Sequence, residues 1–511
     1  MTVSWDSISA PGGPPRRIRG GEIPTPSTTS WREQQRQARA SLAAQADPRR
    51  TAAAAEDEPT FGFRLGGMWI DGDAIFAFGL FLPMVFLVQF ATLGAAMIAG
   101  LTPLYLFFRR KELARLMAPR AFLFAFPIVA VVSVVWSVTP KDTIKFALEF
   151  VVTVVAALLL SSARNQRAVL KAMALAFLIY CADAVLTGGM VAVGADGERA
   201  FSGLTNSKNL MADIASTGLI VSLAVIVMAA RARDLLWVGI CSVGVLLELY
   251  CVAGSRSAGA VLGLVMGLTP LVVLSVLIPA GRTLRAWVTS MVAIALLVVG
   301  LNFRVISQAI IDLSLSVFDK DPTLTGRTYL WYRAFELIRE KPILGRGYFS
   351  FWLQGNIDAE GLWRYAGITE RSGFNFHNTL VDLLVTVGWL GSAVMIVTVL
   401  IGAIALVRRF VGRPNLALVF WISILLYELS RTPIETLGVQ PFYFSTILVF
   451  GALGAAFRRS APPKRIAHRP IRSAIPVQVT LVNYTGEAWA NPRLAPARGS
   501  LRLKRKQEAE G

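Results

Sequence analysis

Charge is scarce in this 511-residue chain: Asp, Glu, Lys and Arg make up 16% of it, against 54% hydrophobic residues. Its mean hydropathy is +0.56. A soluble domain with that balance would carry large exposed apolar patches, so the composition excludes one and points to an integral membrane protein. Histidine is nearly absent, with only His377 and His468. Three cysteines, Cys181, Cys241 and Cys251, all fall inside apolar runs. Neither set has metal-ligand spacing, and the cysteines read as small core residues rather than a disulfide framework. No GxxxxGK[ST] sequence occurs, so nothing in the chain supplies ATP, and no cofactor or metal is expected.

The charge that is present is lopsided, at net +19. It sits at the two ends and in alternate loops, without zinc spacing or an RNA-binding motif, which assigns it to membrane orientation and not to nucleic acid. Residues 1–72 are rich in Pro, Ala, Arg and Ser and lack the apolar period of a core or a signal peptide. They read as a disordered cytoplasmic tail, and residues 458–511 as a second, basic one.

Between the tails, residues 73–457 form the expected membrane domain. Apolar runs recur near 74–91, 93–108, 121–137, 143–161, 169–193, 210–230, 235–253, 258–279, 285–302, 378–407, 415–430 and 436–456. Each approaches the length that crosses about 30 Å of hydrocarbon as a helix, which predicts an all-α polytopic protein of about twelve spans. With the N-terminus inside, Arg109, Arg110, Arg164, Arg167, Arg231, Arg233, Arg282, Arg285, Arg408 and Arg409 fall in cytoplasmic loops. Both termini are then cytoplasmic, and the polar stretch 303–377 is one large extracytoplasmic loop. In the span that opens at Ala258, Gly259, Gly263 and Gly267 recur every fourth residue, a face that admits a close neighbour.

Ordering about seventy loop residues costs conformational entropy that packing or function must recover, so the loop is expected to be the working part. Leu330, Trp331, Ala334, Phe335 and Ile338 share one face of a helix that Lys341-Pro342 stops, with Arg327 at its leading end. Gly345 and Gly347 permit a tight turn about Arg346. His377 stands where the loop re-enters the membrane, followed by Asn378. It reads either as an interfacial hydrogen-bonder or as the proton acceptor for a sugar hydroxyl. Short outer loops purge cations, so those left there ask for a reason: Arg199, Lys208, Arg256 and Arg431. Arg256, between Ser255 and Ser257 at a helix start, combines a guanidinium with backbone N–H groups suited to phosphate. Asp382 and Glu428, within or beside spans, must face the bundle interior, where either could orient the histidine or pair with an arginine. Asp71-Gly72-Asp73 has the form of a metal-binding DxD but falls on the cytoplasmic side, and is set aside.

Four segments, SGLTNSKNLMAD (Ser202 to Asp213), GSRSAGA (Gly254 to Ala260), GRTYLWYRAFELIREKPILGRGY (Gly326 to Tyr348) and FHNTLVDLLVTVGWLG (Phe376 to Gly391), occur in a set order. That ordered set resembles the O-antigen ligase and Wzy-type polymerase superfamily over roughly residues 75–455. The Lys208-Asn209 pair is more similar to the exopolysaccharide-production branch. The resemblance implies a metal-independent, inverting glycosyltransferase that uses a glycan carried on undecaprenyl pyrophosphate at the outer face of the bacterial inner membrane. His377 would be the general base, and Arg256 and Arg327, supported by Arg199 and Lys208, would hold the pyrophosphate. The implied partners are that donor, a glycan or lipid acceptor, the bilayer, and flippase and chain-length or export proteins. A ligase acting on lipid A-core is the neighbouring reading. A transporter would call for repeats and broken helices in both halves, which the sequence does not display.

Overall fold

The computed structural model describes residues 62–65, 68–110, 117–163, 165–193, 198–301, 327–369, 371 and 374–458. Most of both expected tails, and residues 302–326 of the large loop, lie outside the described residues. Among the described residues two strands precede the first helix: β1 (Gly62–Leu65) pairs antiparallel with β2 (Met68–Asp71), Gly62 opposite Asp71. Asp71 then caps α1 (Gly72–Val85), its carboxylate accepting from the amides of Asp73 and Ala74 at 2.9 and 3.2 Å. Asp73 is buried against Tyr105 of α2 (Leu87–Phe108) and the Arg109 guanidinium. Both acids of the Asp-Gly-Asp sequence therefore have structural partners.

The expected runs resolve unevenly. The one near 121–137 is a 3₁₀ turn (Ala118–Phe124), a short α3 (Ala125–Val132) and a second 3₁₀ turn (Ser133–Val135). Next come α4 (Pro140–Ser162) and α5 (Gln166–Thr187). The run near 169–193 stops at Thr187, because Gly188 and Gly189 end the helix and the β-branched sequence after them forms β3 (Gly189–Val193). It pairs antiparallel with β4 (Glu198–Gly203), so two hairpins qualify the all-α expectation. Then follow α6 (Lys208–Ala232), α7 (Leu235–Ser255), α8 (Ala258–Leu277) and α9 (Arg282–Leu301). The loop supplies α10 (Arg327–Glu340) and α11 (Ile357–Tyr365), and after them come α12 (Thr379–Gly412), α13 (Leu416–Arg431) and α14 (Phe444–Ala455).

Among the described residues, seven helical segments are long and apolar enough to cross a membrane, and three shorter apolar helices accompany them. The chain is a multi-pass membrane protein, but length alone does not reach twelve crossings. The last expected run shows why: it was placed at 436–456, yet the helix begins only at Phe444, because Thr432 to Tyr443 is turn.

α6 is the central helix, with 78% of its apolar window buried against 28% for its neighbour α7. The glycine stripe of α8 packs on α13 as its spacing predicts. A Cβ at Gly263 would lie 2.6 Å from Arg431 Cδ, and one at Gly267 would lie 3.0 Å from Tyr427 Cβ. These bare backbones make room for the polar end of α13.

α12 is broken at Gly388, where φ is 64° and ψ −169°. The break frees carbonyls that the loop takes up: Arg346 N donates to Val385 O at 3.0 Å and Gly347 N to Thr386 O at 2.8 Å. Past the break the direction reverses, with Trp389 N donating to Pro342 O at 2.9 Å. Gly345 and Gly347 have φ of 66° and 110°, which accounts for glycine on both sides of Arg346. The loop is thus seated in the broken helix, and a separate small core holds it there. Leu330, Ala334, Leu337 and Ile338 of α10 pack with Phe351, Trp363, Phe376 and the first turns of α12. Phe335, expected on that face, is exposed, and Leu337 takes its place.

Candidate functional site

Three parts of the chain far apart in sequence are tied together at the loop-bearing end of the bundle. The Thr432–Leu437 turn is stapled to the start of α12. Thr379 N donates to Thr432 O at 2.9 Å, Asn378 Nδ2 to Pro433 O at 3.1 Å, and Thr379 Oγ1 to Glu435 O at 2.9 Å. Asn378 is also the N-cap of α12, its side-chain oxygen accepting from the amides of Leu380 and Val381. Asn at that position satisfies orphan helix donors, so its part here is architectural.

These bonds deliver Glu435 to the centre of the site. Its Oε2 lies 3.1 Å from His377 Nδ1. Its Oε1 accepts from Arg327 Nη2 at 3.3 Å and from Asn209 Nδ2 at 3.2 Å. Arg327 is further held by donation to Ile434 O at 2.8 Å. Burial alone would raise the Glu435 carboxyl, but the hydrogen bond and charge of His377, with the Arg327 and Arg431 guanidiniums, outweigh it and hold the group below the usual carboxylate range. An ionised carboxylate only accepts hydrogen bonds, so at this contact Nδ1 is the donor.

His377 adopts φ of 50°, a left-handed conformation uncommon outside glycine. Its amide is satisfied by Asn375 Oδ1 at 2.8 Å, and the preceding carbonyl, of Phe376, accepts from Trp331 Nε1 of α10 at 2.8 Å. Asp382 reaches the same segment by its backbone: it accepts from Phe376 N at 3.1 Å and from the Thr436 hydroxyl. Asp382 thus shapes the histidine's loop without touching the ring. Beside it lies a cavity of about 40 Å³, lined by Trp352, Phe374, Asn375, Thr436 and Gln440 among others, with room for water but not for a sugar ring.

The remaining expected residues divide. Arg431 is buried and pairs with Asp213, which also accepts from Tyr427 at 2.9 Å and Tyr443 at 3.1 Å. Arg431 is therefore a strut between α6 and α13, not the exposed cation expected of an outer loop. Glu428 is also buried, accepts from Ser445 at 2.6 Å, and does not reach the histidine. Arg256 ends α7 with φ of 50°, and its guanidinium lies 3.0 Å from Glu198 on the β3–β4 hairpin. It is 57% exposed, and next to it Ser257 donates to Asn209 Oδ1 at 3.1 Å, linking the Ser-Arg sequence to Glu435 through one side chain. Arg199 is exposed on β4, next in sequence to Glu198. Lys208 opens α6 directly before Asn209.

The resemblance puts His377 and Arg327 in one site, but the sequence gives no role to Asn209, no partner to the buried Asp213, and no sign of a part for Glu435. Glu435 was visible as an acid just after Pro433 in a polar gap between apolar runs. Nothing local marks which residue it faces.

Residues 243–396, which contain the Ser-Arg sequence, the start of α10 and His377, match the O-antigen ligase family. The chain is also 29% identical over 365 residues to exopolysaccharide production protein ExoQ of Rhizobium meliloti (strain 1021), covering 69% of this chain and 80% of that protein.

Proposed function

We propose, from its match to the O-antigen ligase family over residues 243–396 and its 29% identity to an exopolysaccharide production protein, that this chain is a glycosyl-transfer enzyme that polymerises lipid-linked oligosaccharide. The donor is a glycan on undecaprenyl pyrophosphate, and the site opens at the outer face of the inner membrane. Residues 73–457 form the working domain, residues 303–377 its extracytoplasmic loop, and both termini are cytoplasmic.

The observation that carries the reading is the convergence of His377, Arg327 and Asn209 on one carboxylate. A base and a cation set side by side suit a displacement at an anomeric carbon. The acceptor hydroxyl loses its proton to His377 Nε2 as its oxygen attacks that carbon. The bond to the pyrophosphate oxygen breaks from the opposite side, and its electron pair leaves with the lipid pyrophosphate. Arg327 and Arg256 neutralise the charge that develops on that leaving group, with Lys208 and Arg199 extending the positive surface. A single displacement inverts the anomeric centre and asks for no metal. The energy resides in the donor's phosphoglycosyl bond, which answers the want of an ATP site.

The family match also favours a second reading, ligation of finished glycan to lipid A-core or another acceptor, which shares this donor chemistry. Deleting the gene separates the two. Loss of long secreted polysaccharide with an unchanged lipopolysaccharide ladder supports polymerisation. Full-length polymer stranded on its lipid carrier supports ligation and contradicts the leading reading.

A further inference from the structure

Glu435 divides its two oxygens between the two halves of the site. Oε2 faces His377, on the acceptor side, while Oε1 is held by Arg327 and Asn209, on the donor side. The carboxylate cannot turn away from the ring without giving up both bonds at Oε1. The turn that carries it is stapled to α12 by three further hydrogen bonds. We propose that Glu435 is the positioning residue of the base: it selects the Nδ1–H tautomer, aims Nε2 at the acceptor hydroxyl, and stabilises the imidazolium formed as the proton arrives. This rests on the reading of His377 as the base.

Other charged groups around the ring do not duplicate the role. Asp382 of α12 spends its carboxylate on Phe376 N and Thr436. Arg327 of α10 and Arg431 of α13 are cations, and the negative charge of Asp213 of α6 is committed to Arg431. Lys208 adds a cation beside Asn209 at the start of α6. Glu435 is the anion among these that bonds the imidazole itself. Its carboxyl is held below the usual carboxylate range by that bond and by the neighbouring guanidiniums.

The test compares Glu435→Gln, Glu435→Asp, His377→Gln and the double variant Glu435→Gln/His377→Gln in vesicles supplied with a lipid-pyrophosphate oligosaccharide, measuring turnover against pH and donor binding separately. Glu435→Gln should lower turnover by between about 10-fold and 10⁴-fold, the range for loss of a carboxylate that orients a histidine. The acid limb of its pH profile should move to lower pH, since the imidazole becomes less basic. Glu435→Asp should recover part of the rate and move the limb back toward wild type. At saturating donor the double variant should be no slower than His377→Gln, because what Glu435 does for the chemical step it does through the ring. An unmoved acid limb, or losses that multiply in the double variant, overturns the assignment while leaving His377 as the base. A His377→Gln protein with wild-type turnover overturns the base itself and this inference with it.

Discussion

Glu435 and His377 meet at 3.1 Å across 58 residues of sequence. Two elements must be right for that contact to exist: the loop has to deliver the histidine in its left-handed conformation, and the turn after α13 has to be locked against α12. A non-glycine residue in that conformation persists only where its surroundings over-determine it. Here Asn375, Trp331 and Asn378 do so. The geometry of the site is therefore coupled to the stability of the loop and of the polar end of α13.

The Asp213–Arg431 pair is the first place to test that coupling. Asp213→Ala leaves a buried guanidinium without its counter-charge, which costs about 3–5 kcal/mol for a pair of this kind. Thermal unfolding of the detergent-solubilised protein should show a clear fall in Tm, and activity should fall with it because the Glu435 turn loses its anchor. An unchanged Tm would mean that the strut carries no load.

Gly388 and Gly345 meet where the loop enters the broken helix, and a Cβ built on either would lie within 2.6 Å of backbone atoms of the facing segment. Gly388→Ala should unseat the Pro342–Gly347 segment. Limited proteolysis should then cut the loop faster than in wild type, while membrane insertion is retained. Equal cleavage rates in the two proteins would contradict the seating described.

How much of this was legible in the sequence depends on whether the signal is local. The glycine face of α8, the stop at Lys341-Pro342, the turn at Gly345 and Gly347 and the apolar helices in part, though not their count or all their bounds, follow from residues near one another. The β3–β4 hairpin was absorbed into a span because its apolar, β-branched residues extend a hydrophobic run as well as a helix would. The break at Gly388 lay inside a continuous apolar stretch, where one glycine is no more than a small residue until a partner segment claims the freed carbonyls. Arg431 read as an exposed cation because Asp213, its partner, is 218 residues away. Glu435 was missed for the same reason: a carboxylate in a turn becomes a site residue only through tertiary contact.

At the donor end, Arg256→Lys keeps the charge but loses the planar, two-pronged guanidinium suited to a pyrophosphate. It should weaken donor binding nearly as much as Arg256→Ala, as read from the donor concentration needed for half-maximal rate. Full activity for the lysine variant in a stably inserted protein would rule out bidentate recognition.

Sidedness follows from the loop charges. Reporter fusions at Asn356 should report the extracytoplasmic side and those at Arg413 the cytoplasm. The same sidedness at both would require an even number of crossings between them, which α12 as a single span does not provide.

The account turns on His377 being the group that accepts the proton, and the direct measurement is donor binding and turnover side by side for His377→Ala. The residue is partly exposed, at 25%, and sits outside the packed core. The variant should therefore insert normally and still bind the lipid-pyrophosphate donor through Arg256 and Arg327, while turnover falls by roughly 10²- to 10⁴-fold, as for loss of a positioned base. A His377→Ala protein that binds donor and polymerises at near the wild-type rate would contradict the account and make His377 an interfacial hydrogen-bonder.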